Sequence, residues 1–329
     1  MMPFLTRRLL SAVPTLVGIT LFTFLILNFL PSDPLLTWSG STARASAAAR
    51  ERLREELGTD RPPVERYLDW GLSLLRGDLG RSLRDDRPVG TIVAEALPWT
   101  LLLNGCALLV IYGLAVPFGM LCATSPRSAA DRLGGAIMLA SYSLPSFAAA
   151  VLLQEIFAVR LGLLPLQGAI GQGTGGLPLY GITDLLRHLI LPTTCLALSG
   201  WAFVARYSRA AFRSAMGREF LSVVRSKGLS RRRALLHVAA NTAIPLVTLL
   251  MVILPGLVGG SVIVEQAFSW PGLGRLYVAS IEARDYPVVL GLTLLSAIVI
   301  LAAQSIVDLL YAAADPRIRD RFLEGIPDA

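Results

Sequence analysis

The chain has 329 residues, of which 54% are hydrophobic and only 16% are charged. Because an ordinary soluble domain carries about 25% charged residues, this composition excludes a typical water-soluble globular protein. The formal net charge of +7 would suggest a nucleic-acid partner in a soluble protein. Here the positive charge is concentrated between apolar runs, so we predict a membrane protein that contacts lipid and binds no nucleic acid.

Long apolar runs divide the chain into candidate membrane spans. A helix needs about 20 mostly apolar residues to cross about 30 Å of hydrocarbon. The candidates are Leu9–Leu30, Trp99–Ala123, Leu133–Val159, Leu186–Val204, Ala243–Val264 and Val288–Tyr311. The first run exceeds the 7–15 residues of a usual signal peptide, so we predict that it is retained. The sequence therefore predicts an all-α polytopic protein with six transmembrane helices and one membrane domain over residues 9–312.

The segment after the first span, residues 32–97, is polar and carries nearly balanced positive and negative charge. Within it, Ala43–Leu57 has the pattern of an amphipathic helix, followed by Gly58 at a helix-terminating position. The stretch Val64–Leu75 is predicted to form a second short helix. We expect these elements to form an ordered external cap over the spans.

Basic residues set the predicted orientation. Residues 206–233 hold nine basic residues and a single acidic one, Glu219. Both chain ends are also basic, with Arg7 and Arg8 before the first span and three arginines after the last. Since basic loops remain in the cytoplasm, we predict that residues 1–8, the loop 206–242 and the tail 313–329 are cytoplasmic.

Sequence signatures of catalysis are missing. The chain has two histidines and three cysteines, with no HExxH, GxSxG, CxxC or Walker A motif. The glycine-rich loop within 161–185 lacks the Lys-Ser or Lys-Thr pair of a phosphate-binding loop. We therefore predict no catalytic site and no metal site, and expect any pumping to take its energy from a partner.

Two places inside the spans are candidates for a translocation path. Ionisable residues at membrane depth are costly, which makes Glu155 in the third span a candidate contact for a cationic substrate group. The alternative is a hydrated position near the outer end of that span. Gly256 and Gly260 lie four apart in the fifth span, a spacing that permits close helix packing. The same face is also a candidate lining for a substrate path or a subunit interface.

Several short motifs, taken together, resemble those of a known family. They include Leu30–Pro34, Leu57–Pro62, Gly77–Ser82, Ser143–Phe147, Arg160–Pro165, Trp270–Arg275, Arg284–Pro287, Val307–Tyr311 and Asp315–Arg317. In this order, over nearly the whole length, they resemble the B-type permease subunit of bacterial ABC importers for dipeptides, oligopeptides and nickel. The resemblance implies the type I importer permease fold in the bacterial inner membrane.

The resemblance also implies a site for partner ATPases in the basic cytoplasmic loop. In such importers a short coupling helix of this loop lies in a groove of the ATPase subunit. The residues implied here are Glu219, Arg225, Lys227, Gly228, Leu229, Ser230, Arg231, Arg232 and His237. Gly228 would permit the sharp turn between two short helices.

The implied assembly contains a second related permease, two ATPase subunits and an extracytoplasmic solute-binding protein. ATP and Mg would be used by the ATPase subunits, and this chain would bind no cofactor. Residues 32–97 and the loop 265–287 would meet the binding protein, with Trp270, Pro271, Gly272 and Gly274 as candidate contacts.

Two other classes remain as alternatives. An ion-coupled secondary transporter would show inverted repeats and carboxylates near the membrane midplane, and it would leave the basic loop unexplained. A membrane enzyme would need one of the missing catalytic motifs. Recovery of ATPase partners, or of none, separates these alternatives from the importer.

Overall fold

The structure is a computed structural model that describes residues 2–29, 61–170, 178–216 and 231–314. Regular structure in these ranges is helical, apart from an isolated β-bridge between Arg81 and Pro88. The predicted all-α fold is confirmed. The predicted helix Ala43–Leu57 and residues 217–230 of the predicted coupling loop lie outside the described ranges.

Nine α-helices are present in the described part of the chain. They are α1 (Met2–Phe29), α2 (Pro63–Leu75), α3 (Val89–Thr124), α4 (Ala129–Ser143), α5 (Ser146–Leu153), α6 (Pro178–Met216), α7 (Arg231–Ala267), α8 (Leu273–Glu282) and α9 (Tyr286–Ala314). A π-helix, Gln154–Arg160, continues directly from α5. The short helix predicted at Val64–Leu75 is confirmed by α2.

The predicted count of six spans is not confirmed. By length and composition, three described stretches can cross a membrane: Leu10–Asn28, Val89–Thr124 and Tyr286–Leu309. Two bent helix pairs raise the number to five if each pair is one span. In α7, which contains the predicted fifth span, the apolar helix found within the described residues is the shorter stretch Pro245–Pro255.

The third predicted span is not one straight helix. It divides into α4 and α5 with the π-helix, and the two parts are bent by 98°. Leu144 and Pro145 adopt extended backbone angles at the break. The cause is Pro145, because proline disfavours a helical conformation in the residue before it.

The main core lies between α3 and α6. Buried residues recur along α3 at Leu103, Ala107, Ile111 and Ala115, a four-residue spacing that places them on one helix face. Ile111 lies so close to Gly200 of α6 that a Cβ there would sit 2.7 Å from the isoleucine Cδ1. The small residues therefore allow α3 and α6 to approach closely.

The helix α3 begins ten residues before the predicted span, directly after Pro88. Its added turns carry Val89, Ile92, Val93 and Ala96, which are buried in a second apolar cluster with α8 and α9. Their spacing of three and four residues fits one face of a helix. This packing explains why the helix continues beyond its most apolar part.

The short helix α2 is fastened to the end of α1. The Tyr67 ring lies 5.4 Å from the Phe24 ring, and its hydroxyl is 2.9 Å from Thr20 Oγ1. Arg66 donates a 2.9 Å hydrogen bond to Asn28 Oδ1. These contacts hold α2 alongside the last three turns of α1.

Candidate functional site

Trp270, a predicted contact for a binding protein, is fully buried. Its indole N–H donates a 2.9 Å hydrogen bond to the Trp99 carbonyl, and the two rings meet edge to face at 5.7 Å. Gly272 and Gly274 are also buried. Pro271, between them, is partly exposed. The contact of these residues with a binding protein stays a prediction.

Beneath this segment lies Glu265, a fully buried carboxylate that the sequence analysis did not select. Its Oε2 accepts hydrogen bonds from the backbone N–H groups of Gly274 at 2.7 Å and Arg275 at 3.1 Å. Its Oε1 accepts one from Thr100 Oγ1 at 2.9 Å, and that hydroxyl accepts from the Leu273 N–H at 2.7 Å. Glu265 and Thr100 thus satisfy three of the unpaired N–H groups that begin α8.

Two motifs that are far apart in sequence meet at the same end of the bundle. Asp285 is buried and accepts hydrogen bonds from the Ser82 hydroxyl and, at 3.0 Å, from the Leu83 N–H. The preceding turn has Gly77 and Gly80 at φ of +79° and +86°, which glycine adopts without steric cost. The motif Gly77–Ser82 is therefore held against Arg284–Pro287 by a carboxylate that caps its backbone.

A groove of about 380 Å³ opens beside the buried tryptophan, between α3 and α8. Pro271 and Trp99 contribute apolar surface, and Glu95 and Arg275 contribute one charge of each sign. The groove gives this end of the bundle a concave surface with apolar and charged parts.

Glu155 lies in the π-helix, where its carboxylate forms a 2.9 Å ion pair with Arg160 and is partly exposed. The neighbouring Gln154 donates hydrogen bonds to the carbonyls of Leu166 and Ala267, at 3.1 and 3.0 Å. Gln154 thereby ties the π-helix to the end of α7. Glu155 already has a cationic partner in the chain itself.

The other predicted site residues fall on α7 or outside the described ranges. Gly256 and Gly260 lie within α7, as do Arg231, Arg232 and His237. The remaining predicted coupling residues lie outside the described residues; they are Glu219, Arg225, Lys227, Gly228, Leu229 and Ser230. The structure therefore places Gly256, Gly260 and the last part of the predicted coupling region on one continuous helix.

At the opposite end of the bundle, Asp131 is 3% exposed and pairs with two arginines of α6. Its carboxylate oxygens lie 2.6 Å from Arg209 Nη2 and 2.8 Å from Arg213 Nη2. It also accepts a 3.0 Å hydrogen bond from the Arg127 N–H, and the Ser128 hydroxyl caps its own N–H. One carboxylate thus joins the start of α4 to the last turns of α6.

The sequence carries signals for some of these residues. Ser128 followed by Asp131 fits the [ST]-x-x-[DE] pattern of a helix start, and Arg209 and Arg213 are one helical turn apart. Glu265 is an acid at the end of an apolar run, five residues before Trp270 of the Trp-Pro-Gly segment. The pairing of these groups across the fold leaves no signal in a single sequence.

Comparison with known proteins places this chain among transport permeases. Residues 115–320 match the family described as binding-protein-dependent transport system inner membrane component. Residues 1–104 match the corresponding N-terminal family of these membrane components. Together the two matches span most of the chain.

Individual relatives match over almost their full length. An oligopeptide transport system permease protein of Bacillus subtilis is 34% identical over 97% of this chain and 99% of its own. A glutathione transport system permease protein of Pectobacterium atrosepticum is 36% identical over 97% of this chain and 99% of its own. A dipeptide transport system permease protein of Escherichia coli is 32% identical over 98% of this chain and 100% of its own.

Proposed function

Because the chain belongs to the inner-membrane permease family of binding-protein-dependent transport systems, we propose that it is the pore-forming permease of an ATP-driven importer for peptides or similar small solutes. The observation that supports this most strongly is the near-complete match to oligopeptide, dipeptide and glutathione permeases. These relatives are transport subunits, so the expectation of a transport subunit rather than an enzyme is confirmed. The secondary-transporter alternative loses its support.

We propose an assembly with a second related permease, two ATPase subunits that use ATP and Mg, and an extracytoplasmic binding protein. Both chain ends of this permease would be cytoplasmic, following the positions of the basic residues. ATP binding would stabilise one of two pore conformations over the other, as any ligand-driven switch requires.

The proposed surface for the binding protein is the bundle end that carries the groove between α3 and α8. Pro271, Gly272 and Arg275 line this groove, while Trp270 and Gly274 are buried beside it. Apolar surface mixed with charges of both signs suits a reversible protein contact. The charge pattern also supports an external location, since the described basic residues Arg206, Arg209 and Arg213 lie toward the other end of the bundle, on the last turns of α6.

The proposed coupling element runs from residue 219 to the first turns of α7. Arg231, Arg232 and His237 would lie on the helix that leads from the ATPase to the membrane. Because α7 continues from Arg231 to Ala267, displacement at its start would reach Gly256, Gly260 and the carbonyl of Ala267 that holds Gln154.

Glu155 remains a proposed contact for a cationic substrate group, with Gly256 and Gly260 as proposed lining of the path. Glu155 already forms an ion pair with Arg160, so a substrate amine would have to share the Glu155 carboxylate with the Arg160 guanidinium or displace it. Glu155→Gln should then lower uptake in a complex that assembles normally. Equal uptake by variant and parent would remove Glu155 from the path.

The coupling role is tested by replacing Gly228 with valine in the assembled complex. A β-branched side chain restricts the backbone that a sharp turn needs, so we expect ATP hydrolysis to continue while uptake is lost. The matched control is Gly113→Val, because Gly113 is exposed on α3 with no neighbouring atom within 4 Å of an added Cβ. Normal uptake by Gly228→Val with normal assembly would contradict the coupling role.

A further inference from the structure

The cluster of Asp131, Arg209 and Arg213, here called the Asp131 clamp, joins three parts of the bundle. Asp131 belongs to the first turn of α4, the two arginines belong to α6, and the Arg127 N–H that also binds the carboxylate follows the end of α3. Asp131 holds both arginines at once, so removing its carboxylate leaves two partly exposed guanidinium groups without their acidic partner.

Backbone packing beside the clamp is close enough to leave little free movement. A Cβ added to Gly119 of α3 would lie 2.7 Å from the Ala205 carbonyl oxygen and 2.8 Å from the Arg209 backbone nitrogen. Ser208, between these two residues of α6, is fully buried. The backbones of α3 and α6 are therefore in direct contact beside the clamp.

The position of the clamp along the chain connects it to the proposed coupling element. Arg213 is three residues before Met216, the last described residue of α6, and six residues before position 219, where the proposed coupling element begins. On its other side, α4 leads through the 98° bend to α5 and to the π-helix that contains Glu155. The clamp thus lies between the base of the coupling segment and the helices that reach the far end of the bundle.

We infer that Asp131 is a positioning residue that transmits movement of the coupling segment, through Arg209 and Arg213, to the α3–α4 hairpin. This inference rests on the proposed function, since it assigns a path to ATP-driven movement. Without the carboxylate, the two arginines would no longer hold α4 to α6. ATP hydrolysis would then continue, but the π-helix at the far end of the bundle would move little in response to it.

The test uses the complete complex with its partner subunits, carrying an environment-sensitive fluorophore on a cysteine introduced at the exposed residue Val159. Two quantities are measured: the rate of ATP hydrolysis, and the fluorescence change on adding Mg-ATP with vanadate. For Asp131→Asn we expect hydrolysis within about twofold of the parent and a fluorescence change reduced at least about fivefold, the lower range of allosteric coupling.

Two further variants separate transmission from simple stabilisation. Arg132→Gln removes a charge from the neighbouring exposed position and should leave both quantities unchanged. Asp131→Glu keeps the negative charge on a side chain that is one methylene longer. It should retain hydrolysis and show an intermediate fluorescence change.

An assembled Asp131→Asn complex with a full fluorescence change would overturn the inference. So would failure of Asp131→Asn to assemble combined with parent-like behaviour of Asp131→Glu in both measurements, because the clamp would then serve stability alone. A parent complex that contains no ATPase subunits, or shows no ATP-driven change, would instead contradict the proposed function.

Discussion

Glu265 shows how a charged residue can be accommodated inside this bundle. Its two carboxylate oxygens receive hydrogen bonds from Thr100 and from two backbone N–H groups at the start of α8. A carboxylate is also favoured at a helix N-terminus, where the backbone dipoles leave partial positive charge. The residue therefore connects α3, α7 and α8 around the buried Trp270.

Replacing Glu265 with alanine should destabilise the folded chain. The change leaves the N–H groups of Gly274 and Arg275 without their acceptor, at about 1–3 kcal/mol for each buried unsatisfied group. Thermal unfolding of the detergent-solubilised protein, followed by tryptophan fluorescence, should show a lower midpoint. Glu265→Gln keeps the shape and one acceptor, so its midpoint should be intermediate.

The control for this prediction is Glu282→Ala, because Glu282 is exposed and ends α8, the helix whose first N–H groups Glu265 binds. Exposed substitutions away from special features usually change stability by less than about 0.5 kcal/mol. Equal unfolding midpoints for Glu265→Ala and Glu282→Ala would show that the buried network contributes little.

Gly119 and Gly113 provide a matched pair on one helix. Gly119→Ala places a methyl group against backbone atoms of Ala205 and Arg209, and such overpacking costs roughly 1–3 kcal/mol. Gly113→Ala meets no atom within 4 Å and removes a glycine from a helix, which should stabilise it by up to about 1 kcal/mol. The two unfolding midpoints should shift in opposite directions; a shift in the same direction would contradict the close α3–α6 approach.

Among the helices, α2 has an unusual exposed surface. Val64, Leu68, Leu72 and Leu75 are 57–84% exposed and lie on one helix face by their spacing. The Tyr67 ring packs on Phe24, four residues before the end of the apolar stretch of α1, or about 6 Å along the helix axis. This depth agrees with helices that lie in the boundary between lipid head groups and acyl chains.

We expect the apolar face of α2 to contact lipid in the assembled complex. A fluorophore on Leu68→Cys should be quenched by nitroxide-labelled lipids in nanodiscs, whereas the same label on Asp69→Cys should be quenched more by aqueous iodide. Parent protein, with Cys106, Cys122 and Cys195 alone, gives the labelling background. A Leu68 label protected from both quenchers would mean that protein covers this face, and iodide quenching alone would mean that water does.

The break between α4 and α5 could not be predicted from the length of the apolar run. The stretch Leu133–Val159 is long enough to span, and its composition gives no bend angle. Pro145 was visible in the sequence, but proline is also tolerated inside membrane helices, so it did not decide between a kink and a 98° turn. The π-helix that follows likewise had no signal in the residue pattern.

For the molecule as a whole, the helical class and the family could be predicted because both depend on long patterns. Apolar runs of about 20 residues and ordered motifs persist across a chain whatever its detailed packing. The network around Glu265 and the Asp131 clamp could not be predicted in this way, since each depends on side chains from helices far apart in sequence. Trp270 illustrates the difference: its motif was identified, while its burial against Trp99 required the structure.

The most direct measurement is purification of the tagged chain from its native membrane in mild detergent, with mass spectrometry of the proteins that accompany it. We expect a second related permease and the ATPase subunits to be recovered with it, and an extracytoplasmic binding protein to join when its ligand is present. Recovery of this chain alone, or only with further copies of itself, while other known complexes remain intact in the same preparation, would contradict the importer function.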